Sequence, residues 1–114
     1  MEKIVEQAML YDFYGELLGE HQKAVFEEYV LDNFSLGEIA EERGISRQGV
    51  HDLVKRADRA LKEYEEKLHL VSKFMAVKDR VNRIYDISGE LAKEGNSELA
   101  QKICGIAGEI MDEL

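Results

Sequence analysis

Ser35 to Arg56 reads SLGEIAEERGISRQGVHDLVKR, a stretch punctuated by helix-capping and turn residues. Ser35 and Glu38 stand in the S-x-x-E arrangement, in which each side chain satisfies a backbone N–H at the start of a helix, so a helix is expected from Leu36 to Arg43. Gly44 can take the left-handed conformation that ends it, and Ser46 is placed to cap the helix that follows. Two helices that cross steeply need a small residue in the first, a glycine in the turn and apolar residues at fixed places in the second. Ala40, Gly44, Val50 and Leu53 meet those needs, and Ile39 and Ile45 can fill the angle between the helices. An ordinary helical hairpin does not require all of these at once, so a helix-turn-helix is expected.

Before this unit, the spacing predicts a helix from about Glu2 to Leu18, with an apolar face of Val5, Met9, Phe13 and Leu17, and a second from His21 to Leu31. Tyr11, Phe13 and Tyr14 read as core aromatics rather than as a platform for unpaired bases. After it, Val50, Val54, Ala57, Leu61, Tyr64, Leu68, Val71 and Met75 alternate spacings of four and three, which is a heptad seam. Such a seam packs against another helix of the chain or against its copy. The expected dimer seam is Ala57, Leu61, Tyr64, Leu68, Val71 and Met75, and a homodimer is expected from it. The apolar register then shifts to Phe74, Val77, Val81, Ile84 and Leu91, which predicts a bend or break near His69 to Ser72. Gly95 ends that helix, and Asn96 or Ser97 caps a final one from about Glu98 to Met111. The expectation is therefore an all-α protein, with a helix-turn-helix domain and N-terminal helix over 1–69 and a helical extension over 70–114. The extension is expected to pack on the domain or on a dimer partner.

Composition agrees with that class. The 114 residues, 45% of them hydrophobic, suffice for one modest core, and with no Trp, Pro or Thr the frequent Glu, Leu, Lys and Ala favour helix. The opening MEKIVEQAML has neither the basic nor the continuous apolar region of a signal peptide, and no apolar run nears the roughly 20 residues that span a bilayer. A cytoplasmic protein without membrane insertion is expected. Cys104 is the only cysteine, so no internal disulfide is possible, and with Ile103 and Ile106 nearby it reads as a core thiol.

The net charge of −9 hides a segregation. Over 43–62, six Lys and Arg residues face two carboxylates, whereas 20–42 carries seven carboxylates and one Lys. The last stretch, 86–114, carries seven carboxylates and two Lys. A basic helix flanked by acidic surfaces permits nucleic-acid binding through one face and discourages it elsewhere. Arg47, His51 and Lys55 lie four apart, as do Gln48 and Asp52, while Val50, Leu53, Val54 and Ala57 occupy the other side. Gly49 removes bulk near the helix start, where a nucleic-acid backbone or a neighbouring helix could approach.

FSLGEIAEERGISRQGVHDLVKRADRALKEYEEKL, with QKAVFEEYVLDN before it, resembles the region-four domain of bacterial sigma factors. With the YDFYGELL opening and the acidic helical tail, the chain is similar over nearly its whole length to YlxM-type helix-turn-helix proteins. The resemblance implies a fold of the winged-helix DNA-binding class without a wing, and a bacterial regulatory protein in or near the signal recognition particle pathway. Its partner would be DNA or, alternatively, the particle's RNA or GTPase. It also implies the recognition residues: Ser46, Arg47, Gln48 and His51 at the start of the second helix, then Asp52, Lys55, Arg56 and Arg59. In such units the first turns reach base edges in the major groove and the later cations meet phosphate. Arg47 could read guanine and Gln48 adenine. These 114 residues carry no segment resembling the parts that bind core polymerase or melt a promoter, so a sigma factor is not expected.

No catalytic, metal or cofactor site is expected. Glu66 and His69 make one E-x-x-H pair, but helical two-metal sites need a second pair and two further carboxylates. No Gly-rich phosphate loop or nucleophile motif occurs.

Overall fold

Six α-helices follow one another in the computed structural model, which describes residues 3–114: α1 Lys3–Tyr14, α2 Glu20–Val30, α3 Leu36–Arg43, α4 Arg47–Leu68, α5 Leu70–Lys93 and α6 Ser97–Asp112. Among the described residues there is no strand, and no helix is long and apolar enough to cross a membrane. The chain divides into two compact units, the first ending at Val71 and the second running from Ser72 to Leu114.

The first unit is built on α4, against which α1, α2 and α3 all pack. Its core gathers Leu10 and Tyr14 from α1, Val25 and Phe26 from α2, Ile39 from α3, and Val50, Val54, Ala57 and Leu61 from α4. The four α4 residues are the start of the heptad stripe, so that stripe is covered by the chain's own helices. Ala57 and Leu61, expected on a dimer seam, are fully buried here and offer no surface to a second copy. Tyr64 and Val71 pack partly against the same core, while Leu68 and Met75 are exposed. The seam is also not one straight stripe, because His69 takes a left-handed conformation (φ 56°, ψ 26°) between α4 and α5. This is the break expected near His69, and it separates His69 from the helix that carries Glu66.

The opening helix departs from expectation. The expected start at Glu2 lies outside the described residues; α1 ends at Tyr14, and Gly15–Leu17 tightens into a 3-10 turn. The buried side is Gln7, Leu10 and Tyr14, followed by Leu18, whereas Val5, Phe13 and Leu17 are exposed and Met9 is half-buried. A strict four-residue row advances about 40° round a helix with 3.6 residues per turn, so Val5 to Leu17 winds off any single face. Polar Gln7 holds a core position because its side-chain amide donates to Asp58 on α4 at 3.3 Å. Tyr11 is half-buried and stacks on Phe26, with ring centroids 5.7 Å apart.

In the second unit, α5 and α6 run antiparallel, joined by a turn at Gly95 (φ 92°). Asn96 precedes α6 but makes no side-chain cap. Ser88 donates to the Ala100 carbonyl at 2.7 Å and lies 3.1 Å from the sulfur of half-buried Cys104. Val81, Ser88, Ala100 and Ala107 are the buried residues between the two helices.

Candidate nucleic-acid interface

The start of α4 is held by three local devices. Ser35 Oγ accepts from Glu38 N at 3.1 Å and Glu38 Oε1 accepts from Ser35 N at 3.3 Å, which is the reciprocal cap expected for α3. Gly44 sits at φ 66°, ψ 32°, where a Cβ would be strained, and turns the chain from α3 into α4. Ser46 then caps α4 through Oγ, which accepts from Gly49 N at 3.0 Å. A Cβ on Gly49 would lie 3.1 Å from that same oxygen, with nothing else within 4 Å. The glycine serves the cap; no neighbouring helix approaches it.

Of the eight residues assigned to recognition, Ser46 is occupied by the cap. Arg47, Lys55, Arg56 and Arg59 are exposed, and none makes an ion pair among the described residues. Gln48 donates to Asp52 at 3.1 Å, which engages one of its two N–H groups and leaves its carbonyl and the other N–H available. Asp52 stands on the exposed crest beside it, and its charge opposes a phosphate there. His51 is on the flank rather than the crest. Its Nδ1 is buried without a hydrogen bond, 3.9 Å from Asp52 and too far to form one. It lines a groove of about 570 Å³ with Ile4 and Gln7 of α1, Phe34 of the preceding turn, and Lys55 and Asp58 of α4.

Two cations counted in the basic stretch are withdrawn from it. Arg43 grips Glu28 of α2, Nε to Oε1 at 2.8 Å and a terminal nitrogen to the same oxygen at 2.5 Å, and this bonded carboxylate raises its pKa further. Lys62 bonds Asp58 at 2.9 Å, and its pKa is also raised by that partner. The Asp58–Lys62 pair was visible in the sequence as an i, i+4 spacing, whereas nothing local joins Arg43 to a residue fifteen positions earlier. What α4 presents is thus four free cations spread over its exposed side, with Arg47 and Arg56, nine residues apart, about half a turn from each other. Among the described residues, no three His, Cys, Asp or Glu residues gather where they could hold a metal ion.

The sequence profile of the UPF0122 family, described as "Putative helix-turn-helix protein, YlxM / p13 like", matches residues 1–102. UPF0122 protein YlxM of Bacillus subtilis is 44% identical over 94 residues, which cover 82% of this chain and 86% of that protein. A UPF0122 protein of Acetivibrio thermocellus is 49% identical over 84 residues, covering 74% of this chain and 72% of its own. One from Caldanaerobacter subterraneus is 51% identical over 76 residues, 67% and 65% of the two chains. With a helix-turn-helix of this geometry and a profile match over most of its length, the chain belongs to the UPF0122 family of helix-turn-helix proteins.

Proposed function

We propose that this protein is a cytoplasmic, non-enzymatic regulator that binds duplex DNA on the exposed face of α4. The observation that carries the reading is the set of free cations Arg47, Lys55, Arg56 and Arg59 beside Gln48, on a helix whose start is capped. Lys55, Arg56 and Arg59 meet phosphates, while Arg47 and Gln48, in the first turn, reach base edges. The acidic surfaces elsewhere repel the polyanion, so random duplex is bound weakly and salt weakens it further.

The likeness to YlxM-type proteins supports placing that regulation in or near the signal recognition particle pathway. It also supplies the alternative: a helix-turn-helix used as a docking scaffold for the particle's RNA or GTPase, since one fold serves many partners. Binding to a random duplex, a selected duplex pool, the particle's RNA and its GTPase, measured side by side at about 50 mM salt, separates the two. Enrichment of a duplex site supports the regulator. Binding of the RNA or the GTPase with no duplex bound removes the base-reading roles of Arg47, Gln48 and His51.

A further inference from the structure

The Ser72–Leu114 unit is an antiparallel helix pair, and each helix can cover only one stripe of the other. Val81, Ser88, Ala100 and Ala107 are buried on the two helices, with Ser88 bonded to the Ala100 carbonyl, whereas Ile87, Leu99 and Ile106 are 56%, 54% and 59% exposed. Each of these stands one position before a buried residue: Ile87 before Ser88, Leu99 before Ala100, Ile106 before Ala107. One residue back is a rotation of about 100° on a 3.6-residue helix, and in antiparallel neighbours that rotation opens on the same side of the pair. The exposed residues therefore share one face. On α6 it continues as Leu99, Ile103, Ile106 and Ile110, spaced four, three and four apart. A contiguous apolar face of this kind marks an interaction surface.

The charges along α5 identify what covers it. Arg80, Arg83, Ile87 and Glu90 of α5, with Glu94 as the first residue beyond its end, alternate spacings of three and four, so they continue one heptad stripe, with both cations before Ile87 and both anions after it. All four charged residues are exposed, and none makes an ion pair among the described residues. Two copies laid parallel would oppose like charges. A twofold axis across Ile87 instead sets Arg80 against Glu94 of the partner subunit, Arg83 against Glu90 of the partner subunit, and Ile87 against its own equivalent. A charge pattern that reverses sign about its centre is self-complementary only in this antiparallel arrangement. We infer that a second copy of this chain docks on the α5–α6 face, α5 against α5 in opposite directions, to make a four-helix interface. This does not depend on what α4 binds.

Sedimentation of the full chain tests it. The unmodified protein dimerises in the micromolar range, and Ile87→Asp, at an exposed site, gives monomer with unchanged helical circular dichroism. R80E/R83E and E90K/E94K each weaken dimerisation at least about tenfold, because every reversal acts twice by symmetry. Mixed together, the two variants form a heterodimer at least as tight as the unmodified pair. The inference is overturned if the unmodified protein stays monomeric at about 100 μM, if the charge variants alone dimerise as before, or if the mixed variants fail to combine.

Discussion

The Tyr14 hydroxyl lies 2.5 Å from the Glu65 carboxylate and accepts from Leu70 N at 3.1 Å, so the last residue of α1 ties down both sides of the α4–α5 break. Glu65 also accepts from Val71 N at 2.9 Å. Tyr14→Phe keeps the ring but removes a hydrogen bond to a charged group and leaves the Leu70 amide without its acceptor. The expected loss is about 2 kcal/mol in denaturant unfolding. Hydrogen exchange should show faster exchange at the Leu70 amide than at buried α4 amides.

Leu61 and Leu68 lie seven residues apart on one stripe but differ in fate, the first fully buried in the chain's own core and the second exposed. Leu61→Ala should cost about 2–5 kcal/mol. Leu68→Ala should stay within about 0.5 kcal/mol, as exposed substitutions do. Comparable losses at the two sites would mean that Leu68 is covered in solution.

DNA binding by α4 should have a slope of log K against log salt near −3, from about three phosphate contacts. Lys55→Ala or Arg59→Ala should flatten it by about 1 on every sequence. Lys62→Ala should leave it nearly unchanged, because Lys62 already holds Asp58. Arg47→Ala should cost about 1–3 kcal/mol on a preferred site and little of that discrimination elsewhere. Anisotropy titrations across a salt series read all four variants.

Ser46 tests whether the recognition end of α4 is structural or contacting. With Oγ accepting from Gly49 N, Ser46→Ala should cost about 1 kcal/mol of stability. Ser46→Asp should restore the cap yet weaken DNA binding, since it adds a negative charge beside Arg47. Equal affinity for the Ala and Asp variants would remove this end of α4 from the interface.

Burial and the Glu27 carboxylate push the Tyr11 phenol up to about 12. Its ionisation disfavours the folded state, because an unfolded tyrosine gives up its proton near pH 10. The stability that Tyr11 contributes is therefore complete below about pH 10 and is lost as pH rises from there towards 12. Tyr11→Phe should flatten the fall in melting temperature over that window. Tyr14 shares the direction for the same reasons, burial and a bonded carboxylate, so part of the fall should persist.

Features that depend on near neighbours in the chain were legible before any packing was known. The S-x-x-E cap, Gly44 at positive φ, the Ser46 cap and the bounds of α3 all follow from groups within four residues of one another, so their hydrogen bonds are dictated locally. The helix-turn-helix was legible for the same reason, and the break at His69 from the change of apolar register on either side of it. Tertiary structure decided which face of α1 is inside, because Gln7 is buried by Asp58 and Tyr14 by Glu65, each 51 residues away. It decided that the first half of the heptad stripe is used within the chain, since periodicity specifies that a stripe is covered but not by what. It also reduced the basic stretch to four free cations: Arg43 meets Glu28 only when α2 and α3 pack, and a charge count along the chain cannot register a partner brought close by folding.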